Sequence, residues 1–241
     1  MSKTFLHWSS GKDSALSLYY LLKEQPVTKL LTTVNAETQH VSMHGISAEL
    51  LLAQEKSIGI PIQQVYLQPD LSLKSYNAQM EKVYRSLLEK GFDTAAFGDI
   101  LLEDLKEYRE NELDRIGMKY VFPLWGRDTK TVMEDFIELG FKAVVVAVQA
   151  DKISKDWVGR IIDKDFLKDL PKGVDWSGEN GEYHTFVFDG PVFTKPIAYT
   201  IHNIVERSFG QNEDADDNCF NNDSQSNWAS RFYYADIQLA K

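Results

Sequence analysis

The residues from Thr4 to Glu24 confine this chain to few folds. A short apolar run, Thr4–Trp8, reads as a buried strand. Small and polar residues follow at once, Ser9-Ser10-Gly11-Lys12-Asp13-Ser14. Ala15, Leu16, Leu18, Tyr19, Leu21 and Leu22 then recur at helical spacing, predicting a helix over Ser14–Glu24. Strand, tight loop and helix N-terminus form the geometry that binds phosphate, because a first helical turn offers unpaired N–H groups and a partial positive charge. Gly11 lets the backbone approach an anion and adopt φ > 0. Ser9, Ser10 and Ser14 add hydroxyls and Lys12 a cation. Asp13 is suited to cap the helix, or to hold a metal ion or the lysine. A capped structural helix is the plainer alternative.

The rest of the chain repeats this alternation. Strands are predicted at Leu30–Val34, Pro61–Leu67, Thr94–Gly98, Tyr120–Phe122 and Ala143–Val148. Helices are predicted at Ser47–Ile58, Ser72–Lys90, Leu102–Ile116 and Lys130–Leu139, with Gly59, Gly91, Gly117 and Gly140 placed to stop them. The pattern predicts an α/β fold, a parallel sheet with helices on both faces, over residues 1–150. Ligands of such sheets bind beyond the carboxyl ends of the strands. Residues 151–241 differ: Tyr183–Phe188, Lys195–Glu206 and Phe232–Leu239 read as strands without long helices between them. They predict a small α+β C-terminal domain with a mobile acidic loop around 210–227. Phe232–Leu239 is a candidate for pairing between subunits of a homodimer.

With 36 acidic and 26 basic residues in 241, the chain carries a net charge of −10. That argues against a general nucleic-acid surface, which would be basic. A single cysteine, Cys219, excludes an internal disulfide and any multi-cysteine metal site. No signal peptide or membrane-length apolar run is visible, so a cytoplasmic protein is expected.

Three further segments fall where strands end. Gly98-Asp99-Ile100 puts an acid at the same sheet edge as the loop, either to hold Mg²⁺ or the nucleotide, or to cap the next helix. Arg109-Glu110 and Trp125 follow; alone they read equally as a solvated helix face and a core filler. In Ser42-Met43-His44-Gly45, His44 faces this edge as a contact to substrate or phosphate, or as a plain loop residue. His7, on the first strand, reads as core or loop support. Gly178-Glu179-Asn180-Gly181-Glu182-Tyr183-His184-Thr185 puts two carboxylates between turn-forming glycines, just before a strand. If that strand starts at Glu182, then Glu182 and His184 share one side and converge on a pocket.

Ser9–Ser14 resembles the PP-loop, S-G-G-x-D-S/T, of the N-type ATP pyrophosphatases, with Ser10 in place of the first glycine. With Gly98-Asp99-Ile100, Arg109-Glu110, Pro123-Leu124-Trp125 and Gly178–Thr185 in order, most of the chain is similar to the diphthine–ammonia ligase-like PP-loop proteins, in their stand-alone bacterial-type branch. The resemblance implies a HUP-type, Rossmann-like α/β/α sandwich and then a substrate-binding domain. It implies ATP and Mg²⁺, adenylation of a carboxylate with release of pyrophosphate, and amidation by ammonia. Ser9, Ser10, Gly11, Lys12, Asp13 and Ser14 would bind pyrophosphate, and Asp13 and Asp99 the metal. Lys12, Asp13, Arg109 and Glu110 would serve catalysis. His44, Trp125, Glu179, Glu182, Tyr183 and His184 would meet the acceptor, a small-molecule or protein-borne carboxylate.

One departure bears on the acceptor. Diphthine-specific members read G-E-Y-E-T where this chain reads Gly181-Glu182-Tyr183-His184-Thr185. Diphthine carries a fixed trimethylammonium cation, which an acid favours and an imidazolium does not, so a different acceptor is expected. Two other readings stay open: a PP-loop tRNA-modifying enzyme, against which the acidic charge and missing cysteine pair count, and a regulator that holds ATP or AMP without chemistry.

Overall fold

The computed structural model describes residues 2–41, 44–69, 71–209 and 230–240. The chain opens with β1 (Lys3–His7), α1 (Lys12–Glu24), β2 (Val27–Asn35), α2 (Ala48–Ile58) and β3 (Ile62–Leu67). It continues through α3 (Leu73–Glu89), β4 (Phe92–Ala96), α4 (Glu103–Asp114), β5 (Lys119–Val121) and α5 (Thr129–Glu138). Five of these strands form a parallel sheet in the order β3-β2-β1-β4-β5. The order reverses between β1 and β4, which opens a crevice at the carboxyl ends of those two strands. The loop after β1 and Gly98-Asp99 after β4 therefore become neighbours.

Side-chain alternation along the strands builds two cores. Phe5 and Leu31 face one way, onto Met80, Tyr84, Leu87 and Leu113 of α3 and α4. Leu6 and Leu30 face the other, onto Leu16, Leu18, Leu50 and Leu51 of α1 and α2 and onto α5. The four glycines expected to stop helices all have positive φ.

The rest of the chain comprises β6 (Lys142–Gln149), a 3₁₀ turn at Lys155–Trp157, α6 (Lys164–Asp169), β7 (Tyr183–Asp189), β8 (Tyr199–Phe209) and β9 (Ser230–Leu239). These strands form a separate antiparallel sheet, β7-β6-β9-β8. Two expectations are corrected here. Ala143–Val148 is not a parallel strand: β6 pairs antiparallel with both β7 and β9. Its unbroken apolar run shows that both faces are covered, but says nothing of which strands pair with it. Phe232–Leu239 is not a free-standing edge strand: β9 pairs with β8 along its length and with β6 over Phe232–Tyr234, so only Ala235–Leu239 has a side that β6 does not cover.

The second sheet packs on the α1 and α2 side, so these helices lie between two sheets. One apolar cluster runs through both, from Leu6 and Leu50 to Val146, Phe186 and Ile237. The acidic segment expected at 210–227, with Cys219, and also Ser42 and Met43 lie outside the described residues. Among the described residues no helix is long and apolar enough to cross a membrane.

The shared core makes stability common to both sheets. Phe186→Ala, in the second sheet, is expected to lower the stability of the whole chain by about 3–5 kcal/mol. Thermal unfolding followed by tryptophan fluorescence and by circular dichroism should move as one transition. Two separated transitions would show that the sheets unfold independently.

Candidate active site

Three walls meet at the switch point, and the first is the loop after β1. Ser10 is fully buried and sits at φ +71°, the conformation that a glycine would take freely. A non-glycine residue there costs roughly 1–2 kcal/mol, and hydrogen bonds from two other elements hold it. The Ser10 carbonyl accepts from the Val187 N–H at 2.9 Å and from Gln54 Nε2 at 3.3 Å. Gln54 Nε2 also donates to the Val187 carbonyl at 2.8 Å, and its Oε1 accepts from Trp8 Nε1 at 2.8 Å. Gly11, expected to carry the positive φ, has φ −93°. Its missing Cβ leaves room for His44 instead: a Cβ there would lie 2.7 Å from His44 Cε1.

The start of α1 is knit to this loop. Gly11 N–H donates to Ser9 Oγ at 3.2 Å, and Ser14 Oγ donates to the Gly11 carbonyl at 2.9 Å. The N-cap residue, Gly11, supplies no side-chain cap to the helix, and the Lys12 N–H donates to Thr185 Oγ1 at 3.1 Å. Lys12, only 4% exposed, places Nζ 2.9 and 2.8 Å from the two oxygens of Asp13.

The second wall follows β4. A Cβ on Gly98 would lie 3.1–3.3 Å from the Asp13 backbone and Ser14 N, so a glycine lets this turn lie against the first turn of α1. Asp99 does not cap α4, whose N-cap is Leu102 without a side-chain bond. It pairs with Arg109, Nε to Oδ2 at 3.0 Å. Arg109 lies over the Phe97 ring at 4.4 Å, and His7 stacks on that ring with Tyr84 Oη 3.1 Å from its Nε2. His7 is thus the support that its place on β1 predicted. Glu110 points elsewhere, to Lys106 at 2.8 Å, and Lys106 Nζ lies 5.1 Å from the Trp125 ring. These three form a rim cluster, held near the site because Gly126 N–H donates to the Ile100 carbonyl.

The third wall is Asp175–Thr185. Asp175 Oδ1 accepts from the N–H groups of Ser177 and Glu179, and its Oδ2 from Thr129 Oγ1. Glu182, 1% exposed, accepts from the N–H groups of Asp175 and Asn180 and from Asn180 Nδ2. It therefore shapes the turn from within. The strand starts at Tyr183, and the structure does not bring Glu182 and His184 together: Glu182 binds its own turn, whereas His184 lies beside His44 with ring centroids 4.8 Å apart. Tyr183 Oη donates to the Trp176 carbonyl, and its ring lies 5.4 Å from Lys12 Nζ. Gly178, at φ +69°, leaves room for that ring, 2.9 Å from where its Cβ would be. Glu179 is the acid that reaches across, accepting from the N–H groups of Ile100 and Leu101 at 3.3 Å.

Sequence reasoning missed Gln54, Asp175 and Thr185 as site residues. Gln54 carries the one available signal, a polar side chain on the apolar face of α2.

Carboxylates and cations converge here. Burial raises the Asp13 carboxyl, against the pull of Lys12, and nearby Asp99 adds to the rise. Burial pushes Glu179 up to about 7, with Asp13 adding to it and Lys12 opposing. Among the described residues no three His, Cys, Asp or Glu side chains form a ready metal cage. Mg²⁺ asks less of a protein, one or two carboxylates plus phosphate oxygens. Asp13 and Asp99 are carboxylates of the kind such an ion takes, and the Asp99 charge adds to the rise of Asp13.

The Glu179 shift has a definite sign. The folded protein keeps this proton up to about pH 7, whereas the unfolded chain releases it near 4.5. The native state therefore binds more protons between these values, and stability falls as pH rises through that window. Glu179→Gln keeps an acceptor for Ile100 and Leu101 but cannot ionise. It is expected to melt above the wild type at pH 8, by about 2–4 °C for each kcal/mol of the linkage, and level with it near pH 4.5. Parallel Tm–pH curves for the two proteins would refute the shift.

Residues 2–120 match the diphthamide synthase N-terminal domain family, and residues 128–212 the diphthamide synthase C-terminal domain family. Diphthine–ammonia ligase of Schizosaccharomyces pombe is 27% identical over 212 residues, covering 86% of this chain and 33% of that protein. The Bos taurus enzyme is 31% identical over 114 residues, 45% of this chain and 43% of its own. The chain thus spans about a third of the first relative and under half of the second. A solved structure described as a predicted subunit of tRNA methyltransferase from Methanocaldococcus jannaschii is 19% identical, with a TM-score of 0.41 over 82% of this chain and 100% of that one. Both domains of the diphthamide synthase family are matched in chain order, and the chain belongs to the diphthine–ammonia ligase-like PP-loop proteins.

Proposed function

We propose that this protein is an ATP-dependent, AMP-forming carbon–nitrogen ligase that activates a carboxylate and amidates it with ammonia. The observation that carries this reading is the meeting of the α1 N-terminus, Gly98-Asp99 and Glu179 around Lys12 at the switch point. Relatives named as diphthine–ammonia ligases support it. In the reaction an acceptor carboxylate oxygen attacks the α-phosphorus of ATP, the bond to the β-phosphate bridge breaks, and ammonia then displaces AMP from the acyl carbon. No protein nucleophile is needed, so the residues act by position and charge.

Each wall has a part. The loop N–H groups and Lys12 hold the leaving pyrophosphate. Asp13 and Asp99 would hold Mg²⁺, which would supply neutralisation of phosphate charge. Arg109 orients Asp99 and stays charged at any working pH. Glu179, poised near neutrality, lies where it can accept a proton from the incoming nitrogen.

The acceptor differs from diphthine in this reading. Burial first, then His44 and Lys12, hold the His184 imidazole well below its ordinary value and therefore neutral. A neutral ring offers a fixed trimethylammonium group none of the charge that a carboxylate would.

The test is product analysis of ATP–Mg²⁺ turnover with ammonium and pooled metabolites. AMP and pyrophosphate should appear only with an acceptor fraction present, and Asp13→Ala should lower the rate roughly 100-fold. ADP and phosphate would refute the reading.

A further inference from the structure

Two imidazoles lie over the start of α1; the chemistry above uses His184 only in the choice of acceptor and leaves His44 without a task. The His44 ring occupies the space that a Gly11 side chain would fill. Its Nδ1 is 3.0 Å from the Thr185 carbonyl. A carbonyl only accepts, so Nδ1 carries the hydrogen and Nε2 presents a bare lone pair. His184 lies against this ring at 4.8 Å, and its Nε2 is buried without a hydrogen-bond partner. On its other side is the Phe232 ring at 6.4 Å. A Cβ on Gly45 would lie 3.3 Å from the Tyr234 ring.

The charges around the pair are one-sided. Lys12 acts on both rings from α1 and is paired with Asp13. From β9 come aromatic surfaces: burial pushes the Tyr234 phenol up to about 12, so it stays neutral, and Arg207 lies over that ring. From β7 comes Thr185, uncharged. Burial and Lys12 hold His44 down at about 4 despite its bond to Thr185, and His184 is held low as well.

A polyanion seated on the loop inverts this balance. Its negative charge favours an imidazolium beside it. An unprotonated imidazole nitrogen near phosphate oxygens offers only a repelling lone pair, and one proton converts it to a charge-assisted donor. A second proton would put two cations side by side next to Lys12, so the pair takes one.

We propose that His44 and His184 form a one-proton clamp on the pyrophosphate part of the bound nucleotide, taking a proton from solvent as the anion binds and returning it when pyrophosphate leaves. The proposal rests on reading the loop as a pyrophosphate site.

The probes are inorganic pyrophosphate, and AMP as the control lacking β- and γ-phosphates, titrated calorimetrically into the full chain with Mg²⁺ in two buffers of different ionisation heat. Pyrophosphate should bind with net proton uptake near pH 6.5. Its affinity should fall about fourfold from pH 6 to pH 8 beyond the ligand's own ionisation, as expected for one group raised to about 6.5 on binding. The double variant His44→Asn/His184→Asn shares the ligand's ionisation, so the difference from wild type belongs to the histidines. It should lose the uptake, bind about fourfold more weakly at pH 6, and match wild type at pH 8. A purely structural role would weaken binding equally at both pH values and overturn the clamp, as would uptake retained in the double variant. Imidazole NMR of the wild type is independent of any variant: one histidine that stays neutral at pH 6 in the free protein should be protonated with saturating pyrophosphate, and no such change refutes the proposal. Pyrophosphate binding without uptake overturns the clamp alone. No pyrophosphate or ATP binding at all overturns the loop reading and the clamp with it.

Discussion

A single carbonyl group, that of Ser10, ties the site together. It lies at the sharpest bend of the loop, on a residue held in the left-handed region. Val187 of the second sheet and Gln54 of α2 both donate to it. Gln54 then closes the circuit through the Val187 carbonyl and Trp8 Nε1. All of these groups are buried, and an unmet buried polar group costs about 1–3 kcal/mol. The bend, the helix and the second sheet are therefore set by one network. Thr185, two residues before Val187, reaches Lys12 N from the same strand. The loop is pre-shaped by the antiparallel sheet, through Val187 and Thr185.

Around this fixed loop the charges are arranged so that few stand alone. Lys12 is paired with Asp13, and Arg109 with Asp99. Glu179 is pushed up to about 7 in the shared field, and the two histidines are held low by burial. Such perturbations gather where a site must accept new charge. An incoming polyphosphate and its metal would re-sort these partners rather than meet a bare charged cavity. Meanwhile Glu182, Asp175 and Tyr183 spend their polar atoms on the turn that carries Glu179. The most distinctive sequence block thus combines residues at the site, Glu179, His184 and Thr185, with others that shape their turn.

Much of the fold was legible because its signals are local. Strand and helix periods along 4–122 and the glycines that stop four helices follow from short-range sterics and side-chain burial. The loop at Ser9–Ser14, with Asp99 beside it, was legible too, since a parallel sheet puts every strand-to-helix loop at one edge. β6 was misplaced for a reason of the same kind: a strand covered on both faces reads identically in either sheet, because period-two patterning reports coverage and not pairing. Phe232–Leu239 reads in the sequence as a candidate for pairing between subunits, yet β8 pairs with it throughout and β6 with Phe232–Tyr234, and pairing between strands dozens of residues apart leaves no local trace.

By itself the sequence determined the element types, the phosphate-binding character of the first loop and the family to which the chain belongs. Each depends on residues close together in the chain. Only the tertiary structure decided that Ser10 rather than Gly11 takes the strained conformation, that Gly11 is small to admit His44, that Glu182 faces inward while Glu179 faces the site, and that Gln54 joins three segments. The physical reason is common to these cases. Whether a side chain is a ligand or a brace depends on which unpaired groups and which empty space the distant parts of the chain bring to it, and those arise only when the two sheets close on α1 and α2.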